Sequence, residues 1–169
     1  MVLFFLTIIV TYIVGSIPTS YILGKILRGV DLRTRGSGNL GATNAFRVLG
    51  WKIGLAVLVG DMLKGALPVL FLPSFLEGRG FSALSVPTLA LVIGLVAILG
   101  HVFTIFMRFR GGKGVATTMG VFAALAPLPF IIALSVSLAL IAITRYVSVG
   151  SIIGAVLLPA LIALMRPER

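Results

Sequence analysis

The residues from Arg33 to Arg47, Arg-Thr-Arg-Gly-Ser-Gly-Asn-Leu-Gly-Ala-Thr-Asn-Ala-Phe-Arg, set three arginines and three glycines among small hydroxyl and amide side chains. Each residue type has a use toward an anion. Gly36, Gly38 and Gly41 let backbone N–H groups turn toward a ligand, while Ser37, Asn39, Thr43 and Asn44 add side-chain donors. The Arg47 guanidinium offers a planar fork suited to phosphate oxygens. A shorter stretch, Arg108-Phe-Arg-Gly-Gly-Lys-Gly114, repeats the recipe, with the Lys113 ammonium among Gly111, Gly112 and Gly114. These glycines can form a nest of N–H groups around one anion. The two stretches are expected to face one another.

Better-known chemistries fit poorly. Gly36-Ser-Gly-Asn-Leu-Gly41 has the G-x-G-x-x-G spacing, but Asp31-Leu-Arg-Thr-Arg35 precedes it where a dinucleotide fold needs an apolar strand. Gly111-Gly-Lys-Gly114 lacks the earlier glycine of a Walker A loop and the Ser/Thr that would hold Mg²⁺. There is no cysteine, and His101 is the only histidine, so thiolate and multi-histidine metal sites are excluded. Asp31 and Asp61 are too few and too far apart to suggest a carboxylate metal site. No metal and no cofactor is expected. A Ser-His-Asp arrangement through His101 has no G-x-S-x-G elbow to support it.

The elements that position these loops must lie in a membrane. Hydrophobic residues make up 59% of the chain and charged ones 11%, against about 25% charged in a soluble domain. Residues 80–107, 114–144 and 146–165 carry no Asp, Glu, Lys or Arg, and roughly 20 apolar residues suffice to span a bilayer as helix. The predicted fold is all-α, a polytopic helical bundle. A first span over 1–27 is interrupted by Gly15-Ser-Ile-Pro-Thr-Ser20, read as a packing kink. A basic loop occupies 28–52, a second span 53–76 and a third 80–107. Residues 114–144 would make one helix of about 46 Å, longer than the ~30 Å hydrocarbon core, with Ala126-Pro-Leu-Pro129 at its middle. They are therefore divided into spans 114–126 and 130–146, with a sixth over 147–165. The second span contains Asp61 and Lys64, three apart, which either pair structurally, with each other or with the basic loop, or contact a substrate; charge at membrane depth faces a bundle interior or cavity.

Charge distribution sets the orientation. Of the formal net +10, residues 25–52 carry +5, residues 108–113 carry +3, and Arg145 adds +1. Six crossings with an outside N-terminus put these on the cytoplasmic side, as the positive-inside rule favours, and leave the tail Arg166-Pro-Glu-Arg169 opposite. Confined to loops between apolar spans, the charge argues against a nucleic-acid partner. Nothing here fixes an oligomeric state.

The quoted motifs, together with Gly100-His-Val-Phe103, Val115-Ala-Thr117 and Arg145-Tyr-Val-Ser148, resemble the bacterial acyl-phosphate:glycerol-3-phosphate acyltransferase family (PlsY), in order and over nearly the whole chain. The resemblance implies a seven-helix enzyme of the bacterial inner membrane with its active site on the cytoplasmic face. Such enzymes move a fatty acyl group from acyl phosphate to glycerol 3-phosphate, giving lysophosphatidate and inorganic phosphate in phospholipid biosynthesis. It further implies that Ser37, Asn39, Thr43, Asn44 and Arg47 line the first part of the site. Lys113 with its three glycines would hold a substrate phosphate, and Ser148 would complete the pocket. Members of the family end in a seventh helix and a His-x-x-Asn-Ile motif, and this chain stops at Arg169 before any such motif. A single membrane-embedded acyltransferase domain over 1–169, incomplete at its C-terminus, is the resulting expectation. His101 is left as the only side-chain candidate for a general base, beside proton uptake by a substrate phosphate. A transporter for a phosphorylated anion and a scaffold for anionic lipid headgroups are the competing readings. The first is disfavoured by the lack of an internal repeat and by cationic loops at span ends, the second because it needs charge but not the glycine and Asn/Ser/Thr pattern.

Overall fold

The computed structural model describes residues 1–165, all of whose regular elements are helical. The helices are α1 (Val2–Ser16), α2 (Thr19–Arg28), α3 (Ala42–Leu49), α4 (Trp51–Gly78), α5 (Val86–Val102), α6 (Val115–Leu125), α7 (Pro127–Thr144) and α8 (Val147–Leu164). Short 3₁₀ turns occur at Leu32–Thr34 and Ile105–Met107. The chain forms two compact units, Met1–Leu125 and the part from Ala126 onward.

In the first unit the usual distribution of polarity is inverted. Thr7, Thr11, Ser16, Ser20, Asn44, Asp61, Lys64, His101, Thr104 and Thr117 are buried, whereas Phe5, Leu6, Ile9, Val59, Leu63, Leu67, Phe71, Leu91 and Leu95 are exposed. Lipid tails solvate such an apolar exterior as well as a protein core would. Small residues then let helix backbones approach. A Cβ at Gly120 would strike the Met62 backbone and one at Gly65 the Thr117 backbone, which brings α4 and α6 together. Gly15 and Gly100 do the same for α1 and α5.

By length and composition, α4, α5 with its following turn, and α7 can cross a membrane; α1 and α2, bent by 41° at Ile17–Pro18, make a fourth candidate if taken as one span. The 11 residues of α6 rise only about 16 Å, half of the hydrocarbon thickness, so the separate crossing expected over 114–126 is a half-length helix. The division of 114–144 into two helices is present, but the second begins at Pro127 rather than residue 130. A proline in the first turn lacks only an N–H that would be unbonded there anyway. The third span starts at Val86, not residue 80, because Ser85 caps it through Thr88 N and Pro87 sits in the first turn.

The kink at residues 15–20 is a packing device, as expected. Its loosened carbonyls are taken up by neighbours: Thr104 Oγ1 donates to the Ser16 carbonyl and Lys64 Nζ to that of Ile17 at 2.7 Å, while Tyr12 Oη of α1 donates in turn to the Phe103 carbonyl at the end of α5. Just beyond the kink, Ser20 Oγ donates to the Leu40 carbonyl at 2.7 Å, tying α2 to the first glycine-rich stretch. That stretch is not the loop predicted over 28–52, since Ala42–Leu49 is helical. Ala45 and Leu49 pack with Leu32, Leu40, Ile53 and Val57 in a core beneath the motif.

In the second unit α7 and α8 form a helical hairpin. The turn is made by Arg145, at φ 63°, whose N–H bonds the Ile141 carbonyl at 2.9 Å. Gly150 and Gly154 admit the Ser137 region of α7 against α8. The expectation for the tail Arg166–Arg169 lies outside the described residues.

Candidate active site

The first motif is folded by one side chain. Asn44, buried in the first turn of α3, accepts from Ser37 N at 3.0 Å through Oδ1. Its Nδ2 donates to the carbonyls of Leu32 at 3.3 Å, Arg35 at 3.1 Å and Asn39 at 3.0 Å. Gly36 makes this clasp possible. Its φ is +59°, and a Cβ there would collide with Asn44 Oδ1. Asn39 Oδ1 accepts from Gly41 N at 2.9 Å, so this amide too shapes the chain before the helix. No side chain caps α3 at Gly41, which leaves its first N–H groups directed outward with the positive end of the helix dipole.

At the start of the same segment Asp31 receives Arg33 N at 3.0 Å and Arg33 Nη2 at 2.7 Å. Hydrogen bonding from the Arg33 side chain holds the Asp31 carboxyl down at about 2. The Arg33 charge is thereby partly committed, and its guanidinium also stacks over Tyr21.

The second motif is a tight return from α5. Gly111 N bonds the Val102 carbonyl at 2.9 Å and Gly112 N that of His101 at 3.3 Å. Gly112 fits only because it lacks a Cβ, which would occupy the place of the His101 imidazole. Arg108 and Phe109 adopt successive left-handed conformations at φ 53° and 61°, turning the chain so that Lys113 and Gly114 lead straight into α6.

Behind the two motifs lies a buried charge cluster. Lys64 Nζ is 2.8 Å from Asp61 Oδ1, and His101 Nδ1 is 3.7 Å from the same oxygen. The aligned hydrogen bond of Lys64 goes to the Ile17 carbonyl, so neither Asp61 oxygen nor His101 Nδ1 has a hydrogen-bond partner. Pairing within the helix, the first of the two expectations for Asp61 and Lys64, is what the structure shows for the lysine.

These parts enclose a cavity of about 270 Å³. Ser37, Asn39, Gly41, Thr43, Asn44 and Arg47 come to it from the first motif, Lys113 and Gly114 from the second, and Asp61 and His101 from the buried cluster. Its remaining wall is apolar, with Leu58, Val115, Ala116 and Met119. The N-terminal turns of α3 and α6 both open onto it, adding two positive dipole ends to two cations. Among the described residues neither Arg47 nor Lys113 forms an ion pair. A wider cleft of about 790 Å³ shares Ser37 and Asn39 with the cavity and is lined by Gly38, Gly111, Arg33, Arg108 and Arg110.

The two motifs thus face one another. Gly36, Gly112 and Lys64 support the cavity without lining it, the last two bordering a small gap beside the kink. Ser148 stands exposed in the first turn of α8, in the second unit. Sequence reasoning overlooked the helix start at Gly41 and the apolar wall. Ala42, Ala45, Phe46 and Leu49, at i, i+3, i+4 and i+7 between Gly41 and Gly50, carried the signal for α3.

A helical membrane protein with a cavity lined by two cations and walled on one side by apolar side chains is the class that fold and site define. Residues 5–168 match the family model described as glycerol-3-phosphate acyltransferase, and the chain belongs to that family. Curated glycerol-3-phosphate acyltransferases similar to it include that of Chlorobaculum tepidum, 44% identical over 98% of this chain and 73% of the relative. That of Trichlorobacter lovleyi is 49% identical over 93% of this chain and 76% of the relative. Among solved structures, the glycerol 3-phosphate form of PlsY (YgiH), an integral membrane glycerol 3-phosphate acyltransferase, superposes with a TM-score of 0.80 at 38% identity, covering 97% of this chain and 78% of that one. Its lysophosphatidic acid form gives 0.79 at 36% identity over the same shares. The protein is a membrane acyltransferase of phospholipid biosynthesis.

Proposed function

We propose that the chain transfers a fatty acyl group from acyl phosphate to a hydroxyl of glycerol 3-phosphate at the cytoplasmic face of the bacterial inner membrane, releasing lysophosphatidate and inorganic phosphate. The observation that carries this reading is the single cavity to which Arg47 and Ser37 come from one motif and Lys113 from the other. Two phosphorylated substrates repel each other, and two cations with two helix N-termini offset that repulsion where charge builds on the departing phosphate.

In this reading Lys113, with Gly114 and the N-terminal turn of α6, holds the phosphate of glycerol 3-phosphate. The expected part of Gly111 and Gly112 in a phosphate nest is corrected: their N–H groups go to the Val102 and His101 carbonyls and form the turn that presents Lys113. Ser37, Arg47 and the first turn of α3, including Thr43, face the phosphate of the donor. The acyl chain runs along Leu58, Val115 and Met119 toward lipid. The hydroxyl oxygen attacks the acyl carbonyl, the bond from that carbon to the phosphate oxygen breaks, and the electron pair leaves with phosphate. A substrate phosphate oxygen, with its second pKa near 6, takes the hydroxyl proton. Holding both partners in place supplies several kcal/mol of the barrier, up to about 7–11 in ideal cases. With α1 and α2 taken as one span, an outside N-terminus puts both motifs on the cytoplasmic side of α4 and α5.

Purified protein incubated with palmitoyl phosphate and labelled glycerol 3-phosphate should give labelled lysophosphatidate and one inorganic phosphate per ester, and none with palmitoyl-CoA. Product from the thioester, or uptake of label into vesicles without acylation, would contradict the proposal. The pH–rate profile of His101→Ala should keep the wild-type shape; a lost limb would make the histidine the base.

A further inference from the structure

The acceptor has two hydroxyls, and only one reacts. We propose that Asp61 and His101 together bind the other, the secondary hydroxyl, and so determine which phosphorylated alcohol the protein accepts. This rests on the acyltransfer reading above.

Asp61 is 1% exposed and His101 4%, yet both line the cavity. Both Asp61 oxygens and His101 Nδ1 lack hydrogen-bond partners, an expensive condition for buried polar atoms. Their separation of 3.7 Å is too long for a direct bond. It suits an oxygen seated beside both, donating its hydrogen to the carboxylate and accepting from Nδ1–H. One alcohol group satisfies Nδ1 and one of the two carboxylate oxygens at once, the Lys64 ammonium lying beside Oδ1; a phosphate cannot, because it would bring negative charge against Asp61.

The cavity is therefore polarised. Its Arg47 and Lys113 side takes phosphate, and its Asp61 side repels phosphate and takes alcohol. The Lys64 ammonium lies 2.8 Å from Asp61 Oδ1, on the carboxylate's own helix. A hydroxyl gripped as donor and acceptor is fixed in place, which suits the group that orients the substrate more than the one that attacks.

The test compares glycerol 3-phosphate with 3-hydroxypropyl phosphate, which lacks the secondary hydroxyl. Wild-type kcat/KM should favour the natural acceptor by roughly 10- to 100-fold, the range expected when a hydrogen bond to a charged group is lost. In His101→Ala, and in the paired variant Asp61→Asn/Lys64→Met that leaves no lone buried ammonium, the ratio should fall toward unity. The loss should fall on glycerol 3-phosphate while the analogue keeps its rate. Equal losses on both substrates in folded variants, or a wild type indifferent to the missing hydroxyl, would overturn the proposal. Equilibrium binding of the two alcohols on the same proteins reads the preference without turnover. A chain that binds selectively but makes no ester would sink the acyltransfer reading and leave this one standing.

Discussion

Replacing Asn44 with alanine should open the first motif while leaving the helical bundle intact. The side chain is buried and makes four hydrogen bonds, to Ser37 N and to the carbonyls of Leu32, Arg35 and Asn39. At about 1 kcal/mol net each, and with some of the freed groups reaching water, the cost is roughly 3 kcal/mol, about a hundredfold in the opening equilibrium of the segment. The loss is local because every partner lies within residues 32–39. Tryptic cleavage at Arg33 and Arg35, which needs that segment to open, should therefore accelerate by a similar factor. The thermal midpoint of the whole protein should move much less. Acyltransfer should fall through kcat/KM, since Ser37 and Asn39 are no longer held at the cavity. Wild-type cleavage rates combined with a raised KM alone would refute the reasoning and return Asn44 to the role of direct substrate contact.

Other outcomes follow from the same geometry. Gly36→Ala must accept a left-handed φ and a Cβ against Asn44, costing roughly 1–2 kcal/mol, and should reproduce the faster cleavage of Asn44→Ala. Gly120→Val would force α6 away from the Met62 backbone; loss of turnover together with a lower unfolding midpoint is expected, against an unchanged midpoint if α4 and α6 were not in close contact. Ser37→Ala and Arg47→Ala should depress kcat, read by single-turnover acylation. For Asp31, whose folded carboxyl sits near 2 against an ordinary 3.8, the Arg33 contact stabilises the motif above about pH 4 and is lost as pH falls toward 2. The difference between wild type and Asp31→Asn in segment opening, followed by hydrogen exchange, should therefore be present at pH 6 and vanish near pH 2. It should be small, because the Arg33 side chain is half exposed.

Long apolar runs made the helices legible, and Pro127 with Pro129 marked the break between α6 and α7. The pairing of Asp61 with Lys64 was legible too, since two charges three apart inside an apolar helix have few other ways to be accommodated. What escaped was local. The glycines of 33–47 masked the eight residues of α3, although Ala42, Ala45 and Leu49 keep helical spacing. Asn44 reads in sequence as a donor offered to an anion, yet folding spends both ends of its amide on the backbone. The meeting of Asp61 with His101, forty positions apart, depends on α4 packing against α5, which periodicity does not encode.

Equilibrium binding of labelled glycerol 3-phosphate to the detergent-solubilised protein tests the central claim most directly, which is that both glycine-rich motifs serve one anion cavity. Lys113→Ala, which removes the cation assigned to this phosphate, should weaken binding by about tenfold or more, and Arg47→Ala, which removes the second cation of the same cavity, by a smaller factor, with both losses shrinking as salt rises. Wild-type affinity in either variant would contradict a shared cavity.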